Sequence, residues 1–199
     1  IVHQNFAHTP YQSVQIIDDK GGLYEISGHS DEQKFIEIET DGITEDKKTA
    51  KFYSNKLTDI EDFLLYGPEC NNLFGSDVVY EFTCPLSVTY ANGSNLWVTD
   101  GTDGMLIFQR GGFSTAYTNG TVFAKGIKGQ YTVYNNTIEL TEPVLTETTE
   151  GATVDPKQIE IAAISADNQN QFVIIKDAVL NVKNETFADA AGNTVDMYD

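Results

Sequence analysis

The sequence predicts an all-β chain, and three observations carry that expectation. From Val78 to Tyr90 the even positions Tyr80, Phe82, Cys84, Leu86, Val88 and Tyr90 are apolar or aromatic, while Glu81, Thr83, Ser87 and Thr89 between them are polar. That period of two marks a long strand with one buried face. Turn-forming clusters, Asn92-Gly93, Asp100-Gly101-Thr102-Asp103-Gly104 and Asn135-Asn136, punctuate short runs rich in β-branched and aromatic residues. Helical spacing shows in one short stretch, after Leu57. With 199 residues, 40% of them hydrophobic, the chain can bury one sizeable core or two small ones.

Residues 1–56 read as an N-terminal β-rich region. Short strands are expected at Ser13–Ile17, Leu23–Ile26, Phe35–Glu39 and Thr49–Tyr53, separated by turn clusters such as Asp18–Gly22 and Asp41-Gly42. The end of a β-sandwich and a separate small module both fit this pattern. A helix is expected over Thr58–Leu65. Thr58 and Glu61 have the spacing of a capping box, acids occupy the first turn, and Ile60, Phe63 and Leu64 share a face. The helix then leads into Gly67-Pro68.

Beyond it, Val78–Tyr90 is the first long strand and Asn92-Gly93 a hairpin turn. Asn95–Thr99 is the second strand and Met105–Gln109 the third. A polar, Gly-rich connection, Gly111–Gly120, precedes two further strands, Val122–Tyr134 and Thr137–Pro143, hinged at Asn135-Asn136. Three meandering strands, a connection and a final hairpin make the order of a five-stranded OB-type barrel over residues 78–149. A generic antiparallel sandwich gives a similar pattern.

The run Asn92-Gly93-Ser94-Asn95-Leu96-Trp97-Val98-Thr99-Asp100-Gly101-Thr102, then Gly104–Phe108, resembles OB-fold modules of exported and cell-surface Bacteroidetes proteins. It is also similar to the OB modules that accompany some secreted bacterial nucleases. Gly126–Tyr134, Asn135-Asn136 and Ile138-Glu139-Leu140-Thr141-Glu142-Pro143 match the later part of that pattern, and the helix matches its usual lead-in. Trp97 stands where the family more often has Tyr, and two residues rather than one separate Gly101 from Gly104. The resemblance covers residues 58–149 and implies a fold, since its glycines turn and its apolar residues fill a barrel. It gives an OB-fold domain at 57–149 with its lead-in helix. Phe172–Leu180 overlays the first barrel strand and Ala191–Tyr198 overlays Asp103–Phe108. Residues 150–199 are therefore expected to hold linker, part of the polar stretch Thr146–Pro156, and the start of a second, partial OB-like module; the alternative is that residues 157–199 pack onto the first barrel as extra strands.

Thirty acidic residues oppose twelve basic ones, a formal charge of −18. Such a field repels phosphates and argues against nucleic acid as a partner; it suits a soluble protein outside the cell. No stretch approaches the roughly 20 apolar residues of a membrane helix. The opening at Ile1 reads as a mature or trimmed start that carries no trace of export itself, and the chain is expected at the cell surface or outside the cell. Cys70 and Cys84 lie fourteen residues apart, without zinc-ligand spacing. A disulfide between them is open in an oxidising compartment, although Cys84 alternates with core residues like an ordinary buried thiol.

No catalytic constellation emerges. His29-Ser30-Asp31-Glu32 crowds suitable groups into one loop, but a triad assembles from distant segments, and a solvated loop explains the cluster better. Asp100–Gly104 lacks the oxygen spacing of a calcium loop, so neither metal nor cofactor is expected. The sequons at Asn92, Asn119, Asn135 and Asn184 coincide mostly with turns. Ligand-binding candidates are aromatic. With Leu96 and Val98 inward, Trp97 points outward on the second strand, and Trp97 with Phe108 makes a stacking platform, Tyr117 or Tyr134 at its margin. A covering segment over Trp97 is the competing structural explanation. These features imply a non-catalytic binding, adhesion or spacer module of an exported cell-surface protein, with a glycan or protein ligand. A single-stranded nucleic-acid-binding domain and an accessory domain of a secreted hydrolase are the alternatives.

Overall fold

The computed structural model describes residues 13–17, 23–27, 34–39 and 49–197, with side chains described from Asn55 onward except those of Glu69, Leu73 and Phe74. The architecture is mostly β. In chain order the strands are β1 (Ser13–Ile17), β2 (Leu23–Ser27), β3 (Lys34–Glu39), β4 (Thr49–Ser54) and β5 (Lys56–Leu57). After helix α1 (Ile60–Phe74) come β6 (Val79–Phe82), β7 (Leu86–Asn92), β8 (Asn95–Thr99), β9 (Gly104–Phe108), β10 (Thr121–Phe123), β11 (Ile127–Tyr134) and β12 (Thr137–Leu145). The remainder holds β13 (Thr149–Glu150), β14 (Lys157–Gln158), β15 (Val173–Ile174), β16 (Val179–Asn181), β17 (Thr186–Ala188) and β18 (Thr194–Asp196). β1 pairs with β2, and β3 with β4, both antiparallel. The Asp18–Gly22 and Asp41-Gly42 turns lie outside the described residues.

Nine strands form one sheet in the order β13-β10-β7-β8-β9-β12-β11-β6-β5. β6 and β7 are two pieces of the single run anticipated over Val78–Tyr90, yet five strand spacings separate them in that order. Laid flat, five spacings of about 4.8 Å would hold them roughly 24 Å apart. The short link from Phe82 to Leu86 can reach at most about 14 Å, so the sheet has to curl. Its concave side encloses Tyr80, Phe82, Leu86, Val88, Leu96, Val98, Met105, Ile107, Phe123, Ile127, Tyr131 and Leu140.

Two details depart from simple alternation. The strand breaks at Thr83–Pro85, and the β7–β8 register shifts between Val88 and Tyr90. This bulge tucks Thr89 in, where its hydroxyl donates to the Trp97 carbonyl at 3.2 Å. Tyr90, expected inside, is turned out to 55% exposure. The strand expected over Val122–Tyr134 likewise splits into β10 and β11 at a turn ending in Gly126. Gly126 has φ 69°, and a Cβ there would lie 1.8 Å from the Phe82 carbonyl oxygen; only glycine fits.

Helix α1 also departs from expectation. Its cap is Asp59, whose carboxylate accepts from the Asp62 amide at 2.9 Å, so the Thr58–Glu61 box does not form. The helix continues through Gly67-Pro68 to Phe74 and stops at Gly75, φ 90°. Burial explains the extension: Ile60, Phe63, Gly67 and Cys70 form one buried stripe at helical spacing. Gly67 sits flat on the Tyr131 ring, where a Cβ would come within 2.4 Å of Cδ2. That face outweighs the roughly 3 kcal/mol an interior proline costs. Phe63 meets Tyr80, Phe82 and Tyr131 edge-on at 5.3–5.4 Å, and so seals one end of the core.

Asp100 locks this helix to the sheet. One carboxylate oxygen accepts from the Thr102 and Asp103 amides, both at 2.9 Å, and the other from the Ile60 amide at 2.7 Å. The Asp-Gly cluster is therefore a self-closed turn whose acid also satisfies an open helix N–H.

The stretch read as a linker is docked at several points. β13 pairs with β10, and the Asn119 side chain holds both the amide and the carbonyl of Val154 at 2.7 and 3.0 Å. The segment after β14 turns through two short 3-10 helices, Ile161–Ala163 and Ala166–Asn168. Gln169 and Asn170 then bond both backbone groups of Ile138 on β12, and Gln171 donates to Asp103 at 3.2 Å. The strand laid over Phe172–Leu180 breaks into β15 and β16, with Asp177 between them at φ 56°. β16, β17 and β18 form a three-stranded antiparallel meander, with Val179 and Val182 exposed. Tyr198 lies outside the described residues.

Candidate functional site

The convex face of β8, β9, β12 and β11 is built from residues that alternate with the core. Strand pairing aligns Trp97 with Leu106, Leu106 with Glu139, and Glu139 with Thr132. Asn95 and Phe108 stand opposite each other in the adjacent row. A cleft of about 650 Å³ opens here. Phe108 and Tyr134 wall it, Asn95, Gln109, Thr132 and Thr141 offer amides and hydroxyls, and Arg110 and Glu142 stand at its margin.

Glu139 distinguishes this cleft. It lines the cavity yet is only 7% exposed, because β12 is flanked on both sides. Burial raises its carboxyl above the usual range. Among the described residues its carboxylate has no hydrogen-bond or ion-pair partner. Thr132 and Thr141 bond each other instead, their hydroxyls 2.9 Å apart.

The four anticipated aromatic residues do not form one platform. Phe108 and Tyr134 share the cleft. Trp97 is half-buried and packs on Tyr90, rings 5.4 Å apart and tilted by 36°. Tyr117 turns toward the core, 5.4 Å from Phe123 and 5.8 Å from Phe113, so it supports the fold rather than the cleft. The bulge at Thr89 explains the unforeseen Tyr90–Trp97 pair. Glu139 was legible only indirectly: a lone acid between Ile138 and Leu140 in a strand has to face outward, but its burial depends on neighbouring strands.

Cys70 and Cys84 are not bridged to each other. Cys70 is buried on α1 beside the Tyr80 hydroxyl. Cys84 sits in the β6–β7 break, lining a second hollow of about 370 Å³ with Asp59 and Asp100. Burial, then the nearby Asp100 and Asp59 carboxylates, push its thiol pKa up to about 11. His29-Ser30-Asp31-Glu32 lies outside the described residues. Among the described residues, no group of three or more His, Cys, Asp or Glu side chains is placed to hold a metal ion, and no helix is long and apolar enough to cross a membrane.

Lys128 on β11 is engaged with Glu81 on β6 at 2.8 Å. Arg110 shares its cleft with Glu139 and Glu142. In comparison with known proteins, no family model, no curated protein and no solved structure matches this chain.

Proposed function

We propose that this chain is a non-catalytic carbohydrate-binding module with an OB-type barrel, belonging to an exported or cell-surface protein. The fold part of this reading is supported by the order β7-β8-β9-β12-β11-β6. A split first strand contributes to both ends of that order, and the third and fifth strands, β9 and β12, run parallel. Such an order suits a five-stranded barrel closed through its first strand. The resemblance over residues 58–149 and the charge of −18 support the placement outside the cell.

The observation that carries the binding role is the cleft with Phe108 and Tyr134 as walls and a polar rim of amides and hydroxyls. Aromatic faces stack on the apolar faces of sugar rings while polar neighbours hold the hydroxyls. Under the OB reading, it falls near the Gly93-Ser94 and Asn135-Asn136 turns, on the face that ligands use in this fold class. Glu142 is exposed, which suits a contribution to binding better than the fixed acid pair of a glycosidase. A glycan array probed with the intact chain, followed by calorimetry on each hit, tests the role. A saccharide hit that Phe108→Ala weakens about tenfold or more is the expected result. A blank array together with a blank calorimetric screen of the same sugars would overturn it.

A further inference from the structure

We infer that the sugar this cleft selects carries a protonated amine, seated against Glu139 between Phe108 and Tyr134. This deepens the carbohydrate reading and rests on it. A neutral saccharide needs hydroxyl partners, and Asn95, Gln109, Thr132 and Thr141 already supply them. Glu139 is superfluous for that purpose and costly to bury. Glu139 is 7% exposed as a residue, and what stays accessible includes its carboxylate, which has no partner among the described residues and opens on the cleft, where a cation or strong donor would complete it.

Three features make the complement cationic. The cleft holds two carboxylates, Glu139 and Glu142, against the single guanidinium of Arg110. It sits on a chain with net charge −18, whose field concentrates cations at the surface. Its aromatic walls attract an ammonium placed over their faces. A lysine side chain would satisfy Glu139 as well, but its methylene stem would leave the amide and hydroxyl rim unused. A ring bearing both hydroxyls and an amine uses the whole lining.

The test titrates the intact chain with a glucosamine oligomer and with its N-acetylated counterpart of equal length, at a pH where the free amine is protonated. Affinity at least about tenfold higher for the amine form is expected, falling with added salt. Glu139→Gln should remove that preference, while Glu147→Gln, the same charge change at an exposed site, should keep it. Near-ultraviolet dichroism establishes that each variant is folded. Equal affinity for both oligomers overturns the amine selection and leaves the carbohydrate reading standing; absence of binding to any glycan removes both. A preference that survives Glu139→Gln locates the attraction in the general acidity of the chain and overturns the assignment to this cleft. A short oligolysine that displaces the amino sugar and binds more tightly than it overturns the choice of a sugar.

Discussion

Removing the Asp100 carboxylate tests how the helix is fastened to the sheet. In Asp100→Ala, three amides lose their acceptor: Ile60 at 2.7 Å, and Thr102 and Asp103 at 2.9 Å. The Ile60 bond is part-buried and charge-assisted, the class that contributes about 1.5–3 kcal/mol. The Thr102 amide lies at an exposed turn and can be rehydrated, so the two turn bonds together add about 1 kcal/mol. The total is about 2–4 kcal/mol. With a urea dependence near 2 kcal/mol per molar, the unfolding midpoint should fall by about 1–2 M. Trp97, the sole tryptophan, reports the transition through its emission. Asp100→Asn should be intermediate, because its amide oxygen can still close the turn while its NH2 group cannot accept from Ile60. A midpoint shift under about 0.3 M in Asp100→Ala, or an Asn variant as unstable as the Ala variant, would refute this account.

Three further outcomes follow from the same structure. Glu139→Gln should stabilise the chain at neutral pH, since burial raises the folded-state carboxyl above its unfolded value. The cost of the charge is absent below the unfolded pKa, grows as pH rises through the folded one and persists above it. Melting curves across pH should thus show a gap between variant and parent that closes in acid; a gap independent of pH contradicts the assignment. Gly126→Ala combines a left-handed backbone with a Cβ 1.8 Å from the Phe82 oxygen, so it should lose at least about 3 kcal/mol in urea unfolding. A near-neutral effect would mean the turn does not pass so close to β6. Finally, Cys84, its thiol held up to about 11, should be alkylated far more slowly at neutral pH in the folded chain than in urea, and Asp100→Asn should narrow that difference. Mass spectrometry of the labelled peptides reads both rates, and equal folded and unfolded rates would exclude the shift.

Local rules located most strands because each acts over a few residues. Asn95–Thr99 was bounded correctly by its turns, and the Asn135-Asn136 hinge proved to have both residues at positive φ, 47° and 63°. The same rules failed where distant groups intervene. Tyr90 obeyed its alternation in sequence but sits one bulge later, so it emerged on the other face. The helix passed Gly67-Pro68 because Tyr131, more than sixty residues on, needed a glycine beneath its ring. Residues 146–156 read as a linker by composition, although hydrogen bonds from Asn119 and Gly120 hold part of them.

For the cleft, sequence alone determined that Phe108 and Trp97 face away from the core, because side chains in a strand alternate by two wherever no bulge intervenes. It also determined that the chain is all-β and strongly acidic. Which outward residues meet was decided by pairing between strands far apart in sequence. β9 against β12 brought Leu106 beside Glu139 and put Phe108 with Tyr134 rather than with Trp97 or Tyr117. Burial of a carboxylate is likewise a property of its neighbours: only the flanking strands turn an ordinary outward glutamate into the partnerless acid of the cleft.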